Sequence, residues 1–431
     1  MTEEQQPLAG AAYLRLVLIG AALGVPAALL AAGFLALVHQ LENVLWDDLP
    51  DALGYSSAPW FLILGIPLVG GVIVILARRF LPGDGGHDPL GGLSMAPTAL
   101  EAGPGVALAA IGTLSFGLVL GPEAPLIALG SVVGVAAARI VKLGERENAV
   151  LATAGSFSAI SALFGGPLPA GVLMVEAGLG MGVALIPVML PGLVAAACGY
   201  VIFIGLGDWA GLESTKLVVP DLPAYDGTTV GDLLLAIAIG IVAAVLVIAA
   251  RKLGHRVHGL GDRGMGMPAL ILVGALAVGC LTLIVDALGG KAPEVLFSGQ
   301  AGLPDILAEG SAGVLIAILL AKAIAYGICL GCGFRGGPVF PAIFTGVAVA
   351  TLTVVAFNTS PTFAVAVGTA AGMAAATRLL IASLVVAALL VGTNGFDAIP
   401  AAVLAAAAAW LVAHVLDPPP PAPAPAPPAP A

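Results

Sequence analysis

Charge is scarce in this chain: 9% of its 431 residues are Asp, Glu, Lys or Arg, and aromatics make up only 5%. An ordinary water-soluble domain carries about 25% charged residues, so a soluble globular enzyme or binding module is excluded. No GxxxxGK[ST] phosphate loop occurs, and without one the chain is not expected to hydrolyse ATP. The four cysteines, Cys198, Cys280, Cys329 and Cys332, all lie in or beside apolar segments. They form no disulfide or metal framework, so neither a metal nor another cofactor is expected. The amino terminus, MTEEQQPLAG, lacks the basic start and cleavage site of a signal peptide, so the first apolar segment is expected to persist in the mature protein.

What the chain has instead is apolar surface, with 60% hydrophobic residues and a mean hydropathy of +1.10. Runs able to cross or enter a hydrocarbon core of ~30 Å recur from Leu14 to Val415. The fold class is therefore all-α and polytopic, surrounded by membrane lipid, with no nucleic-acid partner expected. The net charge of −10 says little about partners, because the acids gather in hydrophilic loops such as Trp46-Asp47-Asp48 and Asp208 to Asp232. Arg15, Arg78-Arg79 and the stretches Arg139 to Arg146 and Arg251 to Arg263 mark short basic loops. The positive-inside rule assigns these loops to the cytoplasm. The expected location is the plasma membrane, multi-pass, with the N-terminus cytoplasmic and the Asp47 to Asp51 loop outside.

Of about thirteen apolar segments, several fall short of the ~20 residues needed to span, including 105–118, 362–375 and 378–392. Glycine and proline interrupt the others. Backbone broken at membrane depth is tolerated only where its freed polar groups face protein or a polar pathway. The pattern predicts broken and re-entrant helices of the kind transporters use. Gly121-Pro122-Glu123-Ala124-Pro125 and Gly337-Pro338-Val339-Phe340-Pro341 share a GPxxP pattern, and the pairs Ala154-Gly155 and Ala371-Gly372 follow at matching distances. These matches predict an inverted repeat with a site at the interface of its halves. The first repeat is expected over about 10–206 and the second over about 230–416, divided by the hydrophilic stretch Gly207 to Gly231. Together they make a membrane domain of 1–416. Residues 417–431, rich in proline and alanine, are expected to be a disordered tail.

Glu123 is the most informative residue, an acid between two prolines at the head of an apolar helix from Leu126 to Val141. An acid at the centre of a membrane helix costs roughly 2.5–3.5 kcal/mol, which makes it a functional candidate. An ordinary first-turn acid, favoured by the helix dipole and the free amides, is the alternative. Two GPxxP helix starts facing each other could hold an anion without lysine or arginine, because each offers unpaired N–H groups and about half a positive charge. Proline has no N–H, so the expected anion donors are Gly121, Glu123, Ala124, Val339 and Phe340. A site without fixed cations also lets the ion leave. His87, in the Gly83 to Pro89 break, reads as a loop residue, and His255 and His258 as parts of a solvated basic face. Arg378 is expected to snorkel or to satisfy helix-end carbonyls.

These segments resemble, in order, the CLC chloride channel and antiporter family, whose hallmarks are GSGIP, G[KR]EGP and GxFxP, each at a helix N-terminus on a chloride path. Leu120 to Pro125, followed by Ile127-Ala128-Leu129-Gly130, is similar to the second hallmark. Ala154 to Val175 resembles the helix after it, and Leu296 to Gly299 with Ala321 to Gly337 the approach to the third. The resemblance implies a homodimer without CBS domains, with one pore per subunit. It also implies that Glu123 gates each pore and carries protons, while chloride or another small anion is transported. Gly86 stands where the family has an anion-binding serine, Pro338 and Val339 depart from the third hallmark, and no residue after Asp417 matches the pore tyrosine. The inner proton-relay glutamate aligns with Ala177 and Gly178, with Glu176 adjacent as a possible relay. These departures favour a channel or loosely coupled transporter over the alternative, a proton-coupled chloride or fluoride antiporter. A more distant alternative is a membrane-embedded enzyme with Glu123 as base and His87 as its partner. No enzymatic activity is expected.

Overall fold

The computed structural model describes residues 10–178, 185–206 and 217–418. Among the described residues there is helix but no β-strand. The first half contains α1 (Gly10–Asn43), α2 (Leu49–Ala52), α3 (Trp60–Phe80), α4 (Gly103–Leu114), α5 (Glu123–Val141), α6 (Glu145–Leu163), α7 (Pro167–Ala177) and α8 (Ile186–Leu206). The second contains α9 (Val230–Leu260), α10 (Met267–Ala287), α11 (Ala292–Val295), α12 (Leu303–Ala308), α13 (Ala312–Gly331), α14 (Val339–Phe357), α15 (Pro361–Thr377), α16 (Leu380–Val391) and α17 (Ile399–Leu416).

Local sequence explains where many of these helices start and stop. Thr229 and Asp232 form a capping box at the head of α9, satisfying amides that a first turn cannot pair internally. Ser360 caps α15, whose first residue is Pro361, a position where the missing N–H costs nothing. Helices α5 and α14 both end on a left-handed residue, Lys142 and Asn358. These residues stand 216 apart, the same offset that separates Gly121 from Gly337.

That offset runs through the architecture. In order, α1, α3, α5, α6, α7 and α8 correspond to α9, α10, α14, α15, α16 and α17. Pairings within one half recur in the other: α5 packs on α6 as α14 packs on α15, and α1 on α8 as α9 on α17. Small residues make the approach close. A Cβ placed on Gly155 would run into the backbone of Gly130, and one on Gly346 into the backbone of Gly368, the packing device of membrane helices that have no aqueous hydrophobic drive between them.

Among the described residues, eight helical stretches are long and apolar enough to cross a membrane, and Leu100–Leu114, Pro167–Ala177, Pro187–Ile202 and Pro361–Thr377 are shorter. The three segments expected to be short become α4, α15 and α16, of 12, 17 and 12 residues; α16 runs on through a 3-10 turn into α17. Of the expected divider, 207–216 lies outside the described residues. The part that follows packs on the second half, with Val219 N–H donating to Leu390 O at 2.9 Å and Tyr225 N–H to Asn394 O at 3.0 Å. The tail expected to be disordered lies outside the described residues from 419 onward.

Candidate functional site

The two GPxxP segments meet. Gly121 N–H donates to Gly337 O at 2.8 Å and Gly337 N–H to Gly121 O at 2.6 Å, an isolated antiparallel bridge that joins the halves where α5 and α14 begin. A Cβ on either glycine would overlap the Glu123 carboxylate, so a larger residue at either position would push that side chain from its place. Glu123 is fully buried. Its side chain crosses to the other half, where Oε1 accepts N–H bonds from Val339 at 2.6 Å and Phe340 at 3.2 Å. The carboxylate thus sits at the head of α14, where unpaired amides and the helix dipole favour negative charge. Oε2 is buried with no hydrogen-bond partner among the described residues.

Of the residues singled out from sequence, Glu123, Val339 and Phe340 are brought into contact, and Ala124 lies beside them in the first turn of α5. Gly121 also belongs to the junction, but its N–H is spent on Gly337 and is not free for an anion. Gly86 is not brought here. It sits in a turn with φ +106°, its N–H donating to Gly83 O at 2.9 Å. The residues after it do reach: Pro89, Leu90 and Gly92 line a small cavity with Pro338 and Tyr326.

Tyr326 was not legible as a site residue. It comes from α13, is fully buried, and donates its hydroxyl to Pro338 O at 3.0 Å, directly before the amides that hold Glu123. Lys322, one turn earlier on α13, is also fully buried. Its ammonium donates to Leu296 O at 2.6 Å and Phe297 O at 3.0 Å and stands 4.7 Å from the centre of the Phe344 ring. A cation in an apolar helix and a tyrosine whose hydroxyl needs a partner were the available signals.

Glu176 ends α7 and caps α16. Its Oε1 accepts from Leu380 N at 2.6 Å and Ile381 N at 3.1 Å, and its Oε2 from Ala382 N at 2.7 Å. It borders a cavity of about 530 Å3 with Arg251, His255, Pro338, Arg378 and Asp417. Pro338 and Arg251 also line the smaller cavity beside Tyr326, so the two cavities adjoin on the way to Glu123. Arg378 acts as expected on helix-end carbonyls, donating to Ala413 O at 3.0 Å and to Asp417 O. His87 lies near Arg335, and burial together with that guanidinium holds its imidazole below the ordinary histidine range. Among the described residues no three of His, Cys, Asp or Glu are grouped to hold a metal.

A family model described as voltage gated chloride channel matches residues 92–414. The chain belongs to the voltage-gated chloride channel family. Both GPxxP segments, Glu123 and Glu176 fall inside the span matched to this family, and Gly86 precedes it. YfeO, named for a suggested role in ion transport, is 31% identical over 349 residues in Escherichia coli strain SE11 and in Shigella sonnei, covering 78% of this chain and of each relative. Among solved structures, a slow cyanobacterial Cl−/H+ antiporter superposes with a TM-score of 0.74 at 17% identity, covering 94% of this chain and 95% of that one. A CLC-type fluoride/proton antiporter superposes with a TM-score of 0.72 at 20% identity, covering 95% and 98%. At those identities the likeness is one of fold, and it makes this chain a CLC-type helical membrane protein.

Proposed function

We propose that the chain carries chloride or a similar small anion past Glu123, which acts as gate, and that protons move with the anion only loosely. One observation carries this reading: Glu123 Oε1 occupies the amides of Val339 and Phe340 at the head of the opposing half's helix. A negative side chain that sits where an anion would bind blocks the path when in place and opens it when displaced. An arriving anion competes for the same amides. A proton taken up by the carboxyl removes the charge that holds it there, and a site made of backbone dipoles releases its ion readily. Val339, Phe340 and the first-turn amides of Glu123 and Ala124 are the anion ligands in this reading.

Loose coupling follows from Glu176. Three backbone donors hold its carboxylate on α16, so it cannot swing to relay protons without leaving that helix uncapped. Its place on the wall of the cavity that adjoins Pro338 supports the second reading, a proton-coupled chloride or fluoride antiporter with Glu176 as inner relay. The proposed setting is a homodimer in the plasma membrane with the N-terminus and the Arg251 end of α9 in the cytoplasm, as the positive-inside rule requires.

The test is anion efflux from proteoliposomes loaded with chloride or fluoride, with external pH recorded, for the intact protein, Glu123→Gln and Glu123→Ala. Anion loss with little proton movement supports the leading reading. Stoichiometric proton uptake supports the antiporter, and folded protein that passes neither anion removes both.

A further inference from the structure

The larger cavity contains a cluster that gating by Glu123 does not use. Arg251, near the end of α9, and Arg378, in the turn between α15 and α16, converge on one carboxylate, Asp417, directly after α17. Asp417 Oδ2 lies 3.2 Å from Arg251 Nη1 and 3.7 Å from Arg378 Nη2. One oxygen therefore stands between two guanidiniums from separate elements. This is a point-like contact, unlike the two-pronged fork by which arginine usually grips a carboxylate. Both arginines also keep a buried Nε without a partner among the described residues.

The charged and titratable side chains lining the cavity are Arg251, Arg378, His255, Glu176 and Asp417. Glu176 is engaged by three amides of α16. That leaves two fixed guanidiniums sharing the one carboxylate of Asp417. Asp417 is anchored through its backbone, which donates N–H to Ala413 O at 3.0 Å and accepts at its carbonyl from Arg378. Rotation of the side chain alone can empty the position between the guanidiniums.

We propose that Arg251 and Arg378 form an anion-recruiting site at this mouth of the pathway, and that Asp417 is its resident, displaceable occupant. The ligand is the transported halide, which can replace a single carboxylate oxygen between two cations. From there it is one small cavity, lined by Pro338 and Tyr326, from the amides that hold Glu123. The proposal deepens the anion-transport reading and rests on it for the identity of the ligand, but the site has a binding readout of its own. Trp410 donates its indole N–H to Arg378 O at 3.2 Å and stacks on His414 at 5.2 Å, so its fluorescence reports on Arg378.

The experiment is a bromide titration of the purified full-length protein in detergent, read by tryptophan fluorescence, for the intact chain, Asp417→Asn, Arg251→Gln and the signal control Trp410→Phe. Asp417→Asn removes a competing charge and is expected to tighten bromide binding by about two- to fivefold, the range of a partly exposed ion pair. Arg251→Gln, which leaves the carbonyls at the end of α17 untouched but gives up the Arg251 Nη2 bond to Leu90 O at 3.4 Å, is expected to weaken binding by a similar factor, and Trp410→Phe to remove the response. In proteoliposomes Asp417→Asn should lower the half-saturating anion concentration on this side by the same factor. Unchanged or weaker bromide binding in Asp417→Asn, or a Trp410 response to inorganic phosphate but not to bromide, overturns the proposal. If bromide binds as expected while no variant transports anions, the site stands and the transport reading falls instead.

Discussion

Two glutamates do the same local chemistry in two regions with opposite consequences. At the repeat junction Glu123 accepts two amides of α14 through one oxygen, is fully buried, and leaves its other oxygen unpaired. On the cavity wall Glu176 accepts three amides of α16 and uses both oxygens. Each caps a helix of the second half. Both reach from the first half to the second; the difference is that Glu123 engages one carboxylate oxygen and leaves the other unpaired, whereas Glu176 has both oxygens engaged. In the proposed function, a partial hold is what lets a helix cap serve as a gate, whereas a saturated one stays a cap.

Breaking this contrast at its stronger end should have the largest effect. Glu123→Ala is expected to lower proton movement per anion by at least about tenfold, as deleting a proton-carrying group does, while anion efflux continues. Glu123→Gln, which can still accept from Val339 and Phe340, separates the loss of charge from the loss of the cap. Proteoliposome flux with a pH electrode measures both. Next in size, Gly121→Ala or Gly337→Ala puts a Cβ into the carboxylate. Because the atoms met are the far end of one flexible side chain, the expected outcome is displacement of the Glu123 carboxylate, read as efflux that depends less on pH, with little change in melting temperature.

At the weaker end, Glu176→Gln keeps one acceptor oxygen for Leu380 and Ile381 N–H while giving up the bond from Ala382 N–H, and is expected to change both fluxes by less than about threefold. Glu176→Ala uncaps the helix and should cost about 1 kcal/mol in thermal unfolding. Loss of proton movement with intact anion efflux in Glu176→Gln would break the contrast and make Glu176 a relay. The smallest effect is expected at His87. Burial, with the Arg335 guanidinium beside it, pushes its imidazole below the ordinary histidine value, which favours the neutral form in the protein at pH 7 and above. His87→Gln should leave the pH profile of efflux between pH 7 and 8 unchanged, whereas a shift there would mean that His87 protonates in that window.

Much of the membrane architecture was legible from local pattern. The short segments that became α4, α15 and α16, the offset between the two GPxxP motifs and the acid at the head of α5 all follow from composition and spacing. Gly121 was read as a free donor because a helix N-terminus has unpaired amides; that the two motifs pair with each other and consume its N–H is a contact over 216 positions. Gly86 was aligned by motif, but its turn closes on Gly83 and it is Pro89, Leu90 and Gly92 that reach the cavity. Tyr326 and Lys322 were passed over because a single polar residue in an apolar helix carries no partner in its own segment.

The sequence by itself determined the solvent of this protein, the length and breakage of its helices, and its duplication, because apolar run length, proline, glycine and spacing act within a few turns of chain. Only the tertiary structure decided which helix heads meet, that Glu123 occupies the amides of the opposite half, and that Arg251, Arg378 and Asp417 share one cavity. Hydrogen bonds and charges act over a few ångströms, and only folding brings residues separated by hundreds of positions within that reach.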